Sequence, residues 1–162
     1  MASLRLFFLL GRSNRDSKEK RQMTSYQKLC TEFYDIDKPR PSKDALDFYL
    51  GYATEACGPI LEPMCGSGRF LMPLLELGLD IEGVDASPQM LQACRNRCTK
   101  RGLTPILYEQ FIESITLSKQ YNLVIIPASS FCLVTGQEDV EESLRRIHAL
   151  MNPKAIGMST EN

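Results

Sequence analysis

The chain has 162 residues, of which 43% are hydrophobic and 24% charged, so it suits one folded domain and excludes a wholly disordered protein. Residues 1–28 carry seven Lys/Arg and two Asp/Glu, so the net charge of −1 leaves −6 (−1 minus +5) on the remainder. This acidic body disfavours nucleic acid as a partner. Six cysteines without zinc-ligand or CxxC spacing indicate reduced thiols and a cytoplasmic protein.

The first residues differ in composition from the rest. The apolar run over 4–10 is far shorter than the ~20 residues that a membrane-spanning helix needs, and it lacks the small-residue cleavage site of a signal peptide. We therefore predict a flexible basic extension over 1–23, a single domain over 24–162 and no membrane partner. Membrane attachment is the lesser alternative, and Met23 is a second candidate start.

Helical spacing of apolar residues over 26–34 predicts a helix that the proline-rich segment 37–41 ends. Ser42 is the expected N-cap of a second helix, with apolar residues over 45–53. From residue 59 onward, predicted strands alternate with helices, which favours parallel βαβ units and an open α/β sheet. The predicted strands cover 60–62, 81–85, 105–108, 121–126 and 155–158, and the predicted helices cover 68–77, 88–102 and 137–151.

A glycine turn follows the first of these strands. Glu62 closes the strand, and Gly66 and Gly68 stand where the chain must turn sharply and a ligand can come close to the backbone. The helix that follows presents free N–H groups to the turn. This arrangement predicts a nucleotide-type ligand at the carboxyl end of a central parallel strand.

Two acidic residues restrict what that ligand can be. A dinucleotide site would have a third glycine where Leu71 stands, and the Glu62 carboxylate would repel a pyrophosphate. Asp85 lies at the tip of the next strand, where a carboxylate accepts hydrogen bonds from ribose hydroxyls. The sequence therefore predicts a ligand with a ribose, a positive group and no phosphate.

The motif Glu62-x-x-Cys-Gly-x-Gly68, followed by Gly83-Val-Asp-Ala-Ser-x-x-Met90, resembles the class I S-adenosylmethionine-dependent methyltransferases over about residues 24–158. The resemblance implies a Rossmann-like open parallel sheet of strand order 3-2-1-4-5, with S-adenosyl-L-methionine as the cofactor and no metal. Glu62 would attract the ammonium of its methionine part, and Asp85 would bind the ribose. The implied cofactor-binding residues are Glu62, Met64, Cys65, Gly66, Ser67, Gly68, Asp85, Ala86, Ser87, Met90, Gln110, Phe111 and Pro127.

Simpler roles stay open for several of these residues. Glu62 could be no more than a cap of the following helix, and Asp85 could be no more than a turn-shaping residue. Gln110 could be a solvated loop residue that does not contact adenine. Cys65 has no neighbouring cation in sequence to lower its pKa, so we expect a small space-filling residue and not a nucleophile. No catalytic base is identified.

The segment 127–130 after the fourth strand, Pro-Ala-Ser-Ser, lacks the Asn/Asp-Pro-Pro-aromatic motif of enzymes that methylate base or glutamine amines. A small-molecule or unspecified acceptor is therefore expected. Family members continue beyond strand five to a final antiparallel strand pair, which is missing before Asn162. The first alternative is a non-catalytic remnant that binds the cofactor, or a module that another chain completes. The completing chain could be a partner, or a second copy that associates through the unfinished sheet edge. A nucleotide-binding oxidoreductase is the second.

Overall fold

The structure, a computed structural model, describes residues 40–159. The predicted extension over 1–23 and the predicted helix over 26–34 lie outside the described residues. The helices are α1 (Lys43–Ala56), α2 (Leu71–Glu76), α3 (Pro88–Thr99) and α4 (Gln137–Leu150). The strands are β1 (Ile60–Pro63), β2 (Ile81–Asp85), β3 (Ile106–Glu109), β4 (Tyr121–Ile126) and β5 (Met151–Ser159), and 3-10 turns cover Ile112–Ser114 and Ser130–Leu133.

The five strands form one parallel sheet in the order β3-β2-β1-β4-β5, which confirms the expected Rossmann-like topology. Glu62 of β1 is paired with Gly83, and Asp85 of β2 with Glu109. Because the strands are parallel, their carboxyl ends meet at one edge of the sheet. That edge, between β1 and β2, is where the site is expected.

Apolar residues cover both faces of the sheet, as a parallel sheet requires. Ile60 packs on one face with residues of α1, α2 and α3, and the adjacent Leu61 packs on the other face with residues of α4. This alternation along β1 places one layer of helices on each side. Within residues 40–159, no helix is both long and apolar enough to cross a membrane.

The predicted helix starts at Ser42 and Ser87 are confirmed. The Ser42 hydroxyl accepts a hydrogen bond from the Ala45 N–H, and the Ser87 hydroxyl accepts one from the Met90 N–H, both at 3.3 Å. Pro88 occupies the first turn of α3, where a missing N–H costs nothing. Local side-chain chemistry is sufficient to fix these boundaries.

Three details differ from expectation. α2 begins at Leu71 and not near Gly68, because Gly68 has a φ of +79° that no α-helix accommodates. The helical spacing of Leu144 and Ile147 predicts that both face the core, but Leu144 is 53% exposed, and α4 buries Ser143, Ile147 and Leu150. β5 begins at Met151, directly after α4, because an irregularity in register between Tyr121 and Leu123 lets it pair with β4 from its first residue.

Candidate functional site

The glycine loop between β1 and α2 is wound sharply at the carboxyl end of β1. Met64, Gly66 and Gly68 all have left-handed backbone angles, with φ of +59°, +55° and +79°. A Cβ atom on Gly66 would come no closer than 3.9 Å to a neighbour, the Met90 sulfur, whereas one on Gly68 would lie 2.5 Å from the Cys94 sulfur. Gly66 therefore leaves space for a ligand, and Gly68 allows the loop to pack against α3.

Asp85 connects this loop to the tip of β2. Its Oδ2 accepts a hydrogen bond from the Gly66 N–H, and its Oδ1 accepts one from the Ser87 N–H, both at 2.8 Å. Burial raises the pKa of the Asp85 carboxyl, although these two hydrogen bonds work in the opposite direction. Each carboxylate oxygen keeps a second lone pair that a ligand hydroxyl can use.

Glu62 is a buried acid with an unused acceptor. The side chain is 3% exposed, and its Oε2 has no hydrogen-bond partner in the described part of the chain. Burial first and the negative charge of Asp85 second raise the pKa of Glu62 well above its ordinary value, and a hydrogen bond from the Leu71 N–H lowers it in part. Leu71 is the first residue of α2, so this hydrogen bond agrees with the simpler role of Glu62 as a helix cap. The unpartnered oxygen fits a cationic group as well.

Arg97 holds the loop from the side of α3. Its Nη1 donates hydrogen bonds to the carbonyl oxygen of Ser67 at 3.2 Å and to the Ser67 hydroxyl at 3.0 Å, and Ser67 is buried. Sequence analysis did not select this residue. Its position one helical turn after the buried Cys94 was the available signal, because residues three apart share a face of a helix.

A cleft of about 270 Å³ opens beside Asp85. Its lining includes three carboxylates, Asp85, Glu113 and Asp139, and no Lys, Arg or His among the described residues. An acidic cleft disfavours phosphate and favours a cationic ligand. The lining residues are Met64, Val84, Asp85, Ala86, Gln110, Phe111, Ile112, Glu113, Leu133, Val134, Thr135 and Asp139.

Two residues predicted to contact adenine both line this cleft but differ in availability. The Gln110 Oε1 accepts from the Thr116 N–H at 2.7 Å, and its Nε2 donates to the Thr116 carbonyl at 3.2 Å. The side chain therefore folds back on its own loop. The Phe111 ring is 61% exposed, so its face is available for stacking.

The remaining predicted residues do not line this cleft; they are Glu62, Cys65, Gly66, Ser67, Gly68, Ser87, Met90 and Pro127. Glu62 is buried near the end of β1, Ser87 caps α3, and Pro127 is buried directly after β4. Burial first, then the charges of Glu62 and Asp85, raise the pKa of the buried Cys65 thiol well above its ordinary value. A thiol held in its neutral form is a poor nucleophile, so the arrangement favours a packing role for Cys65.

A second cleft, of about 420 Å³, lies between α1, the loop and the end of β4. Ala128 reaches it from a turn in which both Ala128 and Ser129 have left-handed backbone angles, with φ of +57° and +55°. The two clefts have no lining residue in common. The second is lined by Ser42, Asp44, Ala45, Phe48, Tyr49, Arg69, Phe70 and Ala128.

The fold matches a known protein family. A family model described as a methyltransferase domain matches residues 60–154, which is more than half of the chain. The chain belongs to this methyltransferase domain family, and the resemblance to class I S-adenosylmethionine-dependent methyltransferases is confirmed.

Individual relatives cover the same region. YqeM of Bacillus subtilis (strain 168), provisionally named a methyltransferase, is 29% identical over 101 residues, which are 61% of this chain and 40% of YqeM. The crystal structure of an S-adenosylmethionine-dependent methyltransferase from Clostridium acetobutylicum ATCC 824 superimposes with a TM-score of 0.70 at 21% identity, over 83% of this chain and 56% of that one. The CcbJ methyltransferase of Streptomyces caelestis gives 0.63 at 26% identity, over 74% and 49%. The chain thus spans about half the length of these relatives.

Proposed function

We propose that the chain binds S-adenosyl-L-methionine in the cleft beside Asp85 and transfers its methyl group to a small-molecule acceptor. The observation that supports this most is the pair of carboxylates, Glu62 and Asp85, at the tips of two adjacent central strands. They interact electrostatically across a loop in which Gly66 leaves open space. A ligand with a ribose at one end and a cationic group at the other suits both acids.

Each part of the cofactor has a matching group. The Asp85 oxygens, already oriented by Gly66 and Ser87, would accept hydrogen bonds from the ribose hydroxyls. The unpartnered Oε2 of Glu62 would accept from the ammonium of the methionine part. Phe111, with its exposed ring, would stack on the adenine. This set of residues fits the cofactor, and the described lining of the cleft has no cationic side chain to hold a pyrophosphate.

The chain's contribution to the reaction would be positional. The bound cofactor supplies a methyl group on a positively charged sulfur, which is already a good leaving group. The glycine loop, held by Asp85 and Arg97, would fix one side of the cofactor so that the acceptor approaches in line. The apolar side chains that line the cleft would exclude water from the methyl group and the acceptor.

A small-molecule acceptor is favoured by the segment 127–130, which lacks the motif of base and glutamine methyltransferases. CcbJ and the glycopeptide N-methyltransferase MtfA, which has been solved with S-adenosyl-L-methionine, have the same fold. We also propose a cytoplasmic location, in agreement with cysteines that show no metal or disulfide spacing.

Isothermal titration of the full chain with S-adenosyl-L-methionine, S-adenosylhomocysteine and NAD⁺ tests the cofactor. Saturable binding of the first two and none of NAD⁺ is expected. Binding of NAD⁺ alone would revive the oxidoreductase alternative. Cofactor binding without methyl transfer to a panel of small-molecule acceptors, alone or with candidate partner chains, would favour the non-catalytic binding module.

A further inference from the structure

We propose that the second cleft receives the methyl acceptor and that Arg69 binds a carboxylate on an acceptor with a flat, apolar body. This inference rests on the proposed function, because it assigns the acceptor side of the same site. The expected acceptors are aromatic or similarly planar carboxylic acids. The position, the charge and the walls of the cleft support this assignment.

The position of the cleft is the first observation. Arg69 directly follows Gly68 of the cofactor loop, and Ala128 belongs to the turn at the end of β4. Because β4 is paired with β1 on the side away from β2, this turn lies beside the glycine loop at the same edge of the sheet. A molecule between Arg69 and Ala128 would therefore lie next to the methionine end of the proposed cofactor, on the opposite side of the loop from the Asp85 cleft.

The charge of the cleft is the second observation. Arg69 makes no ion pair with a carboxylate of the described residues, and its Nε is a buried donor without an acceptor there. The lining carboxylate of Asp44 is exposed and likewise makes no ion pair with Arg69. A guanidinium that no described carboxylate neutralises, next to open space, suits a ligand carboxylate, which it can bind through two parallel hydrogen bonds.

The walls of the cleft are the third observation. Phe48, Tyr49 and Phe70 form a chain of edge-to-face contacts, with ring centroids 5.3 and 5.2 Å apart. Tyr49 and Phe70 are buried, whereas Phe48 is 43% exposed and offers ring surface to a ligand. The Arg69 guanidinium lies 5.6 Å from the centre of the Phe70 ring, a cation–π contact that orients it. Aromatic walls with one cation suit a planar apolar anion.

Benzoate is the probe, and benzyl alcohol is its neutral counterpart. Binding of each to the full chain is measured by NMR line shifts with and without saturating S-adenosylhomocysteine. Arg69→Gln is expected to raise the Kd of benzoate by roughly 10- to 150-fold, the usual effect of losing a hydrogen bond to a charged group, and to leave benzyl alcohol unchanged. Arg95→Gln removes the same charge from an exposed position of α3 and should change neither.

A second variant keeps the test decisive if Arg69→Gln fails to fold. Phe48→Ala removes an exposed ring and should weaken benzoate and benzyl alcohol alike. Equal binding of benzoate to wild type and Arg69→Gln, or no binding of benzoate to the wild type, would overturn the proposal.

The cofactor's own carboxylate is the competing occupant for Arg69. Methylthioadenosine lacks the amino-acid part of S-adenosylhomocysteine, so the two ligands separate the sources. Weaker binding of S-adenosylhomocysteine but not methylthioadenosine to Arg69→Gln would assign Arg69 to the cofactor and overturn the acceptor role. If the wild type binds no S-adenosylhomocysteine, the proposed function fails. The second cleft is still tested separately, by comparing benzoate binding to the wild type and to Arg69→Gln without cofactor.

Discussion

The Asp85 carboxylate accepts a hydrogen bond from the Gly66 N–H at 2.8 Å, across 19 positions of sequence. The bond joins the tip of β2 to the loop that follows β1. Asp85 thus shapes the loop and, in the proposed complex, holds the ribose. These two roles make it the residue on which cofactor affinity should depend most.

Asp85→Asn is expected to weaken S-adenosylhomocysteine binding by about 1–3 kcal/mol, because an amide has one acceptor oxygen where the carboxylate has two. Isothermal titration measures the change. Glu109→Gln is the matched control, since Glu109 is paired with Asp85 in register but is exposed and does not line the cleft. Equal affinity of Asp85→Asn and wild type would show that the ribose binds elsewhere.

Arg97→Met should also weaken cofactor binding, by roughly 1–2 kcal/mol, because it removes two hydrogen bonds that hold Ser67 in the loop. Arg97→Lys should recover part of the affinity, since an ammonium can still donate to one of the two oxygens. A purely structural role predicts a different outcome, a lower melting temperature at unchanged affinity. Titration and thermal melting of the same samples separate the two.

Cofactor binding should release a proton from Glu62. Because the pKa of Glu62 is raised, its protonated carboxyl stabilises the free protein fully below the ordinary pKa of 4.5. That stabilisation is lost as pH rises through the folded-state pKa of Glu62. Burial favours the protonated form of Glu62 in the free protein, and an ammonium ligand favours the charged form. Calorimetry in buffers of different ionisation enthalpy, at pH values stepped upward from 4.5, should therefore detect proton release in the wild type. The same release in Glu62→Gln would assign the proton to another group.

Stability at low pH should depend on a second buried acid, Glu82. Burial raises its pKa, but hydrogen bonds from Lys119, Tyr121 and Tyr108 outweigh burial and lower it below 4.5. The stabilisation is therefore present above the ordinary pKa and lost as pH falls through the folded-state value. The Tyr121 hydroxyl donates to Glu82 at 2.7 Å.

Tyr121→Phe should lower the free energy of unfolding at pH 7 by about 1.5–3 kcal/mol, and the loss should shrink as pH falls through the folded-state pKa of Glu82. Urea unfolding at pH 7 and at the lowest pH at which the wild type stays folded measures this. Tyr52→Phe serves as control, because the Tyr52 ring packs against Phe48 and its hydroxyl makes no hydrogen bond to a described residue. A loss that is equal at both pH values would mean that packing, and not the Glu82 charge, is responsible.

The sheet was predictable because each signal for it is local. The near-continuous apolar run over 121–126 indicates a strand buried on both faces, and Ser87-Pro88 begins a helix through its own side chains. Strand order came from the resemblance, since apolar runs do not say which strands are neighbours.

Contacts between distant positions were not predictable. Gly83 shows this most clearly: a Cβ there would lie 2.6 Å from Leu71 and 2.7 Å from Cys65, so β2 supplies the glycine that lets α2 pack closely. The sequence alone showed only that Leu71 replaces the third glycine of a dinucleotide motif in this loop. Arg97 and Ser67 are 30 residues apart. Both contacts depend on tertiary packing, which a single sequence does not record.

A crystal structure of the full chain with S-adenosylhomocysteine is the sharpest test of the proposed cofactor site. We expect the ribose hydroxyls within about 3 Å of the Asp85 oxygens and the ligand ammonium within similar reach of Glu62. A ligand bound in another cleft, or bound with its amino-acid part turned away from Glu62, would contradict it.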